Sequence, residues 1–331
     1  LLVFMKNSYY QQNVIVLSLG LSIALINTAC SEPSAKITTL EPSDEESTAV
    51  TRPAPTEETV KFGVLSIDSA VSVNERYAPL MDYLTETTGH SFELVPVTQV
   101  SQFEAVEAKA LDFTTNNPLA AVQLQRLYDT QFLATYSRPK TGPEFSALII
   151  VRDDSDIQTL NDLKDRHVAC VNFQTAAAGC IFQIQHLLEN GIEPFNDFGQ
   201  FEENKSQDNI VFAVLNGSLD AGFIRTGQLE KMISRGMLDS AEEIRVLDPR
   251  DDGFLYEHTT ALYPEWPIAA LEETNPELVE AVKAALMAIP PEHPALQAAK
   301  IEEFVPTADY NSIEVLIENL QLKSWDAPSS S

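Results

Sequence analysis

The segment Val211-Phe212-Ala213-Val214-Leu215-Asn216-Gly217-Ser218-Leu219-Asp220-Ala221-Gly222-Phe223-Ile224-Arg225-Thr226-Gly227 decides the fold. It opens as the end of a helix, turns at Asn216-Gly217, and continues as a short apolar strand that stops at Arg225-Thr226. The same order of parts occurs upstream, in Ala105-Val106-Glu107-Ala108-Lys109-Ala110-Leu111-Asp112-Phe113-Thr114-Thr115-Asn116-Asn117. Ala105, Val106, Leu111 and Asp112 match Ala213, Val214, Leu219 and Asp220 at a constant offset, 220 − 112 = 108 residues. Copies that far apart are not the repeats of a solenoid. They point to two similar α/β lobes, in each of which a strand delivers a polar loop, Thr115-Asn116-Asn117 or Arg225-Thr226, to its carboxyl end. Ligands of open α/β sheets bind at that edge. Two such edges facing each other make a clamp around a small solute.

Outward from these copies, strand and helix patterns alternate. Strands are expected at Val60–Ile67, Phe92–Pro96 and Phe132–Tyr136, with helices at Glu75–Thr87, Val100–Ala110 and Pro118–Tyr128. In the first helix Tyr77, Leu80, Met81 and Leu84 share a face, and Pro118 suits the first turn of the third. Phe145–Val151 crosses into the second lobe. There follow a short helix at Leu160–Asp165, a strand at Arg166–Val171, a loop of small and polar residues at Asn172–Gly179 and a helix from Cys180 to Glu189. After the second copy come a helix at Gly227–Arg235 and a strand at Ile244–Leu247. Glu257–Leu262 is expected as the strand that crosses back, and amphipathic helices at Glu277–Met287 and Ile313–Leu320 finish the first lobe. The fold class is α/β, two-lobed, with mostly parallel sheets covered on both faces and two crossing strands as the hinge. Lobe 1 takes residues 60–147 and 253–326, and lobe 2 takes 148–252.

Lys and Arg number 21 against 49 Asp and Glu, a formal net charge of −28, which argues against nucleic acid as a partner. Residues 1–30 read as a signal peptide: Met5-Lys6 precedes Val14–Ile26, an uncharged stretch too short to span a bilayer. Asn27-Thr28-Ala29-Cys30 resembles a lipoprotein processing site, with Asn27 where an aliphatic residue is usual, so lipidation on Cys30 is expected and plain signal cleavage is the alternative. Residues 31–59 are rich in Ser, Thr, Glu and Pro and read as a disordered tether, as 327–331 read as a disordered tail. This places the folded part in the periplasm or at the cell surface, held to a membrane by a lipid.

Cys170 and Cys180 are expected as two buried thiols, because a strand residue and a helix residue seldom meet the geometry of a disulfide. No metal-ligand spacing, no nucleophile elbow and no zinc-binding His-Glu motif occurs, so neither a metal, a cofactor nor catalysis is called for.

Four segments carry a family resemblance: Leu111–Pro118, Leu160–Ala169, Val214–Gly222 and His258–Pro267. From about Val60 to Trp325 the chain resembles the type II periplasmic solute-binding proteins, and within them the phosphate/phosphite/phosphonate-binding family. His258–Pro267, with Ile224–Gly227, is similar to the sensory domains of tetrathionate-sensor-type histidine kinases. The resemblance implies an extracytoplasmic protein that captures a small anion for an ABC permease, or a ligand-sensing module that feeds a sensor kinase. Phosphonate binders carry a hydroxyl-rich loop at the second lobe's helix start. Here the corresponding loop is Gln174–Gly179, which keeps one hydroxyl, Thr175, and Gln207 stands where the family has a histidine.

The candidate ligand-binding residues are Thr115, Asn116, Asn117, Thr175, Gly179, Arg225, Thr226, His258 and Tyr263. Arg225 ends a strand at the cleft edge and offers a planar fork of donors to an anion, or else a salt bridge to a neighbouring carboxylate. Asn117 doubles as a helix cap before Pro118. Thr175 and Gly179 enter through the attraction of a helix start for negative charge. Asp112 and Asp220 read as structural, each tying down a turn ahead of its strand. Gln183 faces either the cleft or solvent, and Trp266 reads as core. If Cys30 is lipidated, Cys30→Ser releases the protein from the membrane fraction on cell fractionation; equal release of both forms would identify ordinary signal cleavage instead.

Overall fold

The computed structural model describes residues 59–321 apart from residue 68. The expected leader, Cys30, all of the tether but its last residue, and the tail lie outside the described residues. In chain order the elements are β1 (Val60–Leu65), α1 (Ala70–Thr88), β2 (Phe92–Val97), α2 (Gln99–Glu107), β3 (Phe113–Thr115), α3 (Pro118–Tyr128), β4 (Gln131–Ser137), β5 (Glu144–Phe145) and β6 (Ala147–Arg152). A 3₁₀ turn at Leu160–Leu163 leads to β7 (His167–Cys170). A π-turn at Ala177–Ile181 then runs straight into α4 (Phe182–Glu189). Next come α5 (Pro194–Asp197), β8 (Gln200–Glu203), α6 (Gln207–Leu215), β9 (Ala221–Arg225), α7 (Gln228–Ser234) and β10 (Ile244–Val246). The chain ends its described part with β11 (Tyr263–Pro264), β12 (Pro267–Ala270), α8 (Pro276–Ala288), α9 (Pro294–Ala299), β13 (Glu303–Val305) and α10 (Asn311–Leu320).

Two sheets form two lobes. The first has the order β13-β4-β12-β3-β1-β2, and the second β10-β6-β9-β7-β8. In each, the parallel part holds the duplicated strand: β1 pairs with β2 and β3, and β7 with β8 and β9. The remaining strands run antiparallel, β12 beside β3 and β4 in one lobe and β6 beside β9 and β10 in the other. The duplication reaches down to single hydrogen bonds. Asp112 donates its backbone N–H to the Lys61 carbonyl and accepts the Lys61 N–H on its carboxylate, at 2.9 and 2.7 Å. Asp220 does the same with His167, at 2.9 and 2.8 Å. Each aspartate closes a two-bond ring that fixes the start of its strand against the neighbouring one. Both are structural, as their spacing indicated.

Gly222 explains how closely α6 can lie on the second sheet. A β-carbon there would sit 2.3 Å from Cγ2 of Ile210, so any side chain would push the helix off β9. The first lobe packs Phe62, Leu84, Tyr136 and Val282 between its sheet and α1, α8 and α9. A second cluster joins the lobes: Ile313, Leu316 and Ile317 of α10 lie with Leu119 and Val122 of α3 and with Ile184 and Leu187 of α4. The C-terminal helix thus packs on helices of both lobes rather than finishing the first alone.

Three expectations are corrected. Cys170 and Cys180 form a disulfide, with α-carbons 5.0 Å apart. The loop between them folds back, Val171 donating to the Gly179 carbonyl at 3.0 Å, which brings the strand end and the helix start together. Residues 257–262 are not a strand; Thr259 and Thr260 run beside β6 and donate to the Ala147 carbonyl, and β11 then pairs with β5. The helix predicted from Cys180 begins at Ala177, as the π-turn. Elements that had no reading were β8, β11, β12, β13, α5 and α9. Among the described residues, no helix is long and apolar enough to cross a membrane.

Replacing Asp112 or Asp220 by Ala removes one charged acceptor from a backbone N–H. Each change is expected to lower unfolding free energy by about 1 kcal/mol in urea titrations. The aspartates lie in different sheets, so the double variant should show the sum within about 0.5 kcal/mol. A neutral result at either site would remove its role as strand anchor.

Candidate functional site

The loop after β3 meets the loop after β7. Asn117 is the cap of α3: its Oδ1 accepts from Ala120 N–H at 3.2 Å, while its Nδ2 donates to the Thr175 carbonyl at 3.2 Å. One side chain therefore joins a helix start in the first lobe to a loop in the second. Behind it, Asn116 is fully buried; Nδ2 donates to Gln102 Oε1 and Oδ1 accepts from Asn117 N–H at 2.6 Å. Thr115 is buried and its hydroxyl donates to the Pro267 carbonyl at 2.8 Å, in β12. These two groups brace the loop, and Asn117 is the one that reaches across.

On the opposite side, Asn172 organises the loop. Its Oδ1 accepts from the N–H of Gln174, the N–H of Thr175 and the Thr175 hydroxyl, each at 2.9 Å. An Asn followed by a hydroxyl residue three positions on is the signal of such a turn. The helix that follows has no side-chain cap at Ala176. Its first backbone bond runs from Ile181 N–H to the Ala176 carbonyl at 3.1 Å, which leaves the N–H groups of Ala177 to Cys180 without a carbonyl acceptor among the described residues. All four residues are buried. Helix starts concentrate positive partial charge, and a buried start normally finds a capping group. In the first lobe, by contrast, Ser69, Thr98 and Asn117 cap α1, α2 and α3 with side-chain oxygens.

Gln207 and Arg225 adjoin this helix start. A β-carbon on Gly179 would lie 3.1 Å from Gln207 Nε2, a tight approach that glycine avoids. Gln207 Oε1 accepts the Arg225 N–H at 2.8 Å, which turns its Nε2 away from Arg225. The Arg225 guanidinium is half-buried; Nη1 donates to the Thr226 carbonyl at 3.0 Å and lies near the Tyr256 ring over Gly227. Gly179, Gln207 and Arg225 are thus brought together from three separate stretches of chain. Gln183, open between cleft and solvent in the sequence, faces neither. It is fully buried, and its Nε2 donates to the carbonyls of Leu148, Ala178 and Ile224 at 3.0–3.1 Å, holding the π-turn against β6 and β9.

The other candidates lie along the crossing. Thr226 Oγ1 donates to the Ser146 carbonyl at 3.0 Å and accepts the Ser146 N–H at 3.1 Å. Tyr263 is buried, stacked on Phe182 at 3.8 Å, and burial pushes its hydroxyl pKa up to about 12. His258 is 1% exposed, with Nε2 3.3 Å from the Asp252 carboxylate. Burial lowers its pKa, against the pull of Asp252 and with the push of Arg250.

The fold, the facing strand edges and the anion-friendly helix start coincide with a family match. The model of an ABC transporter, phosphonate, periplasmic substrate-binding protein fits residues 62–311. The chain belongs to that family. As a phosphonate-family binding protein it shares its fold with PhnD1 from Prochlorococcus marinus in complex with methylphosphonate, at a TM-score of 0.64 and 15% identity over 80% of this chain and 98% of that one. XAC2383 from Xanthomonas citri bound to ATP gives 0.64 and 18% identity over the same shares. The tetrathionate sensor histidine kinase TtrS of Salmonella typhimurium is 25% identical over 283 residues, 81% of this chain and 46% of the kinase. The chain thus spans about half the length of that curated relative. The family is one of periplasmic binding proteins, not enzymes.

The buried His258 is expected to make the stability of this binding protein pH-dependent. Its folded pKa lies below the ordinary 6.5, so below about pH 6.5 the unfolded chain binds a proton that the folded chain resists. The contribution is complete above that pH and is lost as pH falls toward the folded value. Urea midpoints from pH 5 to 8 should fall on the acid side in the wild type, and less steeply in His258→Gln; equal slopes would exclude His258 as the source.

Proposed function

We propose that this protein captures a small oxyanion between its lobes and hands it to an ABC permease. The observation that carries the reading is the buried helix start at Ala177–Cys180, uncapped by any side chain, opposite Asn117 of the other lobe. Backbone N–H groups at such a terminus hold phosphate- or sulfate-like groups without a cationic side chain. Thr175 and Gly179 shape this end of the site, Asn117 and its supports Thr115 and Asn116 form the facing wall, and Arg225 supplies the charge-assisted donor. Thr226, His258 and Tyr263 stiffen the crossing beside it. Residues 60–147 with 253–326 form one lobe and 148–252 the other; the entry of β6 into the second sheet and the return of β12 to the first support that division. A lipid on Cys30, after removal of a signal peptide, tethers the whole to a membrane; the processing-site pattern at Asn27–Cys30 supports this.

A second reading has a specific observation in its favour. The 25% identity to a tetrathionate sensor kinase covers most of this chain, so the same clamp would report ligand to a kinase rather than deliver it to a permease. The ligand class is the same in both readings, since methylphosphonate and tetrathionate are both oxyanions.

Calorimetric titration with methylphosphonate, sulfate, thiosulfate and tetrathionate tests the site. Arg225→Ala should weaken binding of whichever anion binds by about 1.5–3 kcal/mol, with little change in the melting temperature of the unliganded protein. A destabilised variant that keeps wild-type affinity removes Arg225 from the site, and a wild type that binds none of the four anions removes the oxyanion reading.

A further inference from the structure

We propose that the Cys170–Cys180 disulfide is a positioning element for ligand capture: it holds the second lobe's loop and helix start in anion-binding geometry before the ligand arrives. The proposal rests on the site assigned above, and the bridge encloses that site. The two cysteines are ten positions apart, and the ring they close contains Asn172, Thr175 and Gly179. Cys170 is the last residue of β7 and Cys180 lies in the π-turn, both without exposure. The cross-link therefore ties the carboxyl end of β7 to the first turn of the helix at which an anion would sit.

The bridge adds to non-covalent contacts: Val171 N–H donates to the Gly179 carbonyl, Asn117 Nδ2 to the Thr175 carbonyl, and Phe173 packs on Phe195 and Phe201. Residues Val171–Ala176 belong to no helix or strand. Asn172 orders only its own turn, and Glu203 accepts the Phe173 N–H at 2.6 Å from β8. On the far side of the helix, Gln183 grips the Ala178 carbonyl and two strand carbonyls. The amide and the disulfide thus hold the helix start at two points. The two lobes differ here in a telling way. The offset that pairs Lys61 with His167, 167 − 61 = 106, pairs Cys170 with Val64 and Cys180 with Asn74, so the first lobe has no equivalent cross-link. There the corresponding helix, α1, is completed by Ser69, whose hydroxyl accepts from Ser72 N–H at 3.1 Å. One lobe finishes its helix start with a side chain; the other leaves it uncapped and fixes it covalently. Fixing a loop in advance raises affinity because binding no longer has to order it. The periplasm, where this family works, favours the oxidised pair.

The test compares the oxidised protein with Cys170→Ala/Cys180→Ala. In case the variant does not fold, the wild type refolded in a dithiol buffer serves in its place. There the dithiol gives two electrons to the S–S bond and becomes a disulfide itself, and two protons complete the two thiols. Hydrogen exchange without ligand should speed up about ten-fold or more at Phe173, Gln174 and Thr175, with much smaller changes at Phe223 and Ile224 of β9. Affinity for sulfate or methylphosphonate should fall about ten-fold. Unchanged exchange in the loop, or an equal rise across loop and β9, overturns the proposal; so does unchanged affinity beside a loosened loop. If none of the four anions binds the oxidised wild type, the oxyanion reading fails, and the exchange data still decide whether the bridge orders the loop.

Discussion

Asn117 is the hydrogen-bonding residue on which the cleft depends. Its oxygen completes the start of α3 and its nitrogen bonds the Thr175 carbonyl in the other lobe. The two functions are coupled, because an amide cannot turn to satisfy one partner without losing the other. Capping fixes the side chain so that its N–H points across the gap. The bond across the gap in turn sets where the Asn172–Ala176 turn lies relative to the first sheet. Lobe closure and α3 therefore share an anchor, and α10 lies against α3 and α4 together.

A chain with a formal net charge of −28 is an unusual host for an anion. The contradiction is one of range. Charges on an exposed surface are screened within about 10 Å at moderate salt. For the proposed site inside the cleft, the charges that matter would be the partial ones of aligned N–H groups and that of Arg225. Buried donors act in a medium where they are screened much less. The acidic surface should slow encounter with the ligand while leaving the bound state intact.

The second lobe keeps its helix start ready by unusual means. A π-turn widens the first helical turn, Gln183 offers one amide to three carbonyls, and a disulfide closes the other side. Glycine at 179 then lets Gln207 approach from α6. Together they hold the buried helix start without a capping side chain.

The sequence by itself determined what short-range chemistry controls. The duplicated strands were legible because Asp112 and Asp220 each close a ring with the neighbouring parallel strand, β1 or β7, a role written in the same residue type at a fixed offset. The bounds Pro118–Tyr128 of α3 were legible because proline and the Asn117 cap are local signals. Candidate residues at the strand ends followed from the same copies. What the tertiary structure alone decided depends on neighbours distant in the chain. Pro267–Ala270 had no reading in the sequence; it is a strand because β3 and β4 lie on either side of it. Tyr263 was open to the cleft until Phe182 covered its ring. Cys170 and Cys180 are a strand residue and a helix residue whose α-carbons approach to 5.0 Å only because the loop between them folds back. Gln207 reaches Gly179 and Arg225 because α6 packs directly on Gly222. Local hydrogen bonding and periodicity are properties of a few adjacent residues, whereas these contacts exist only once separate segments share one packed volume.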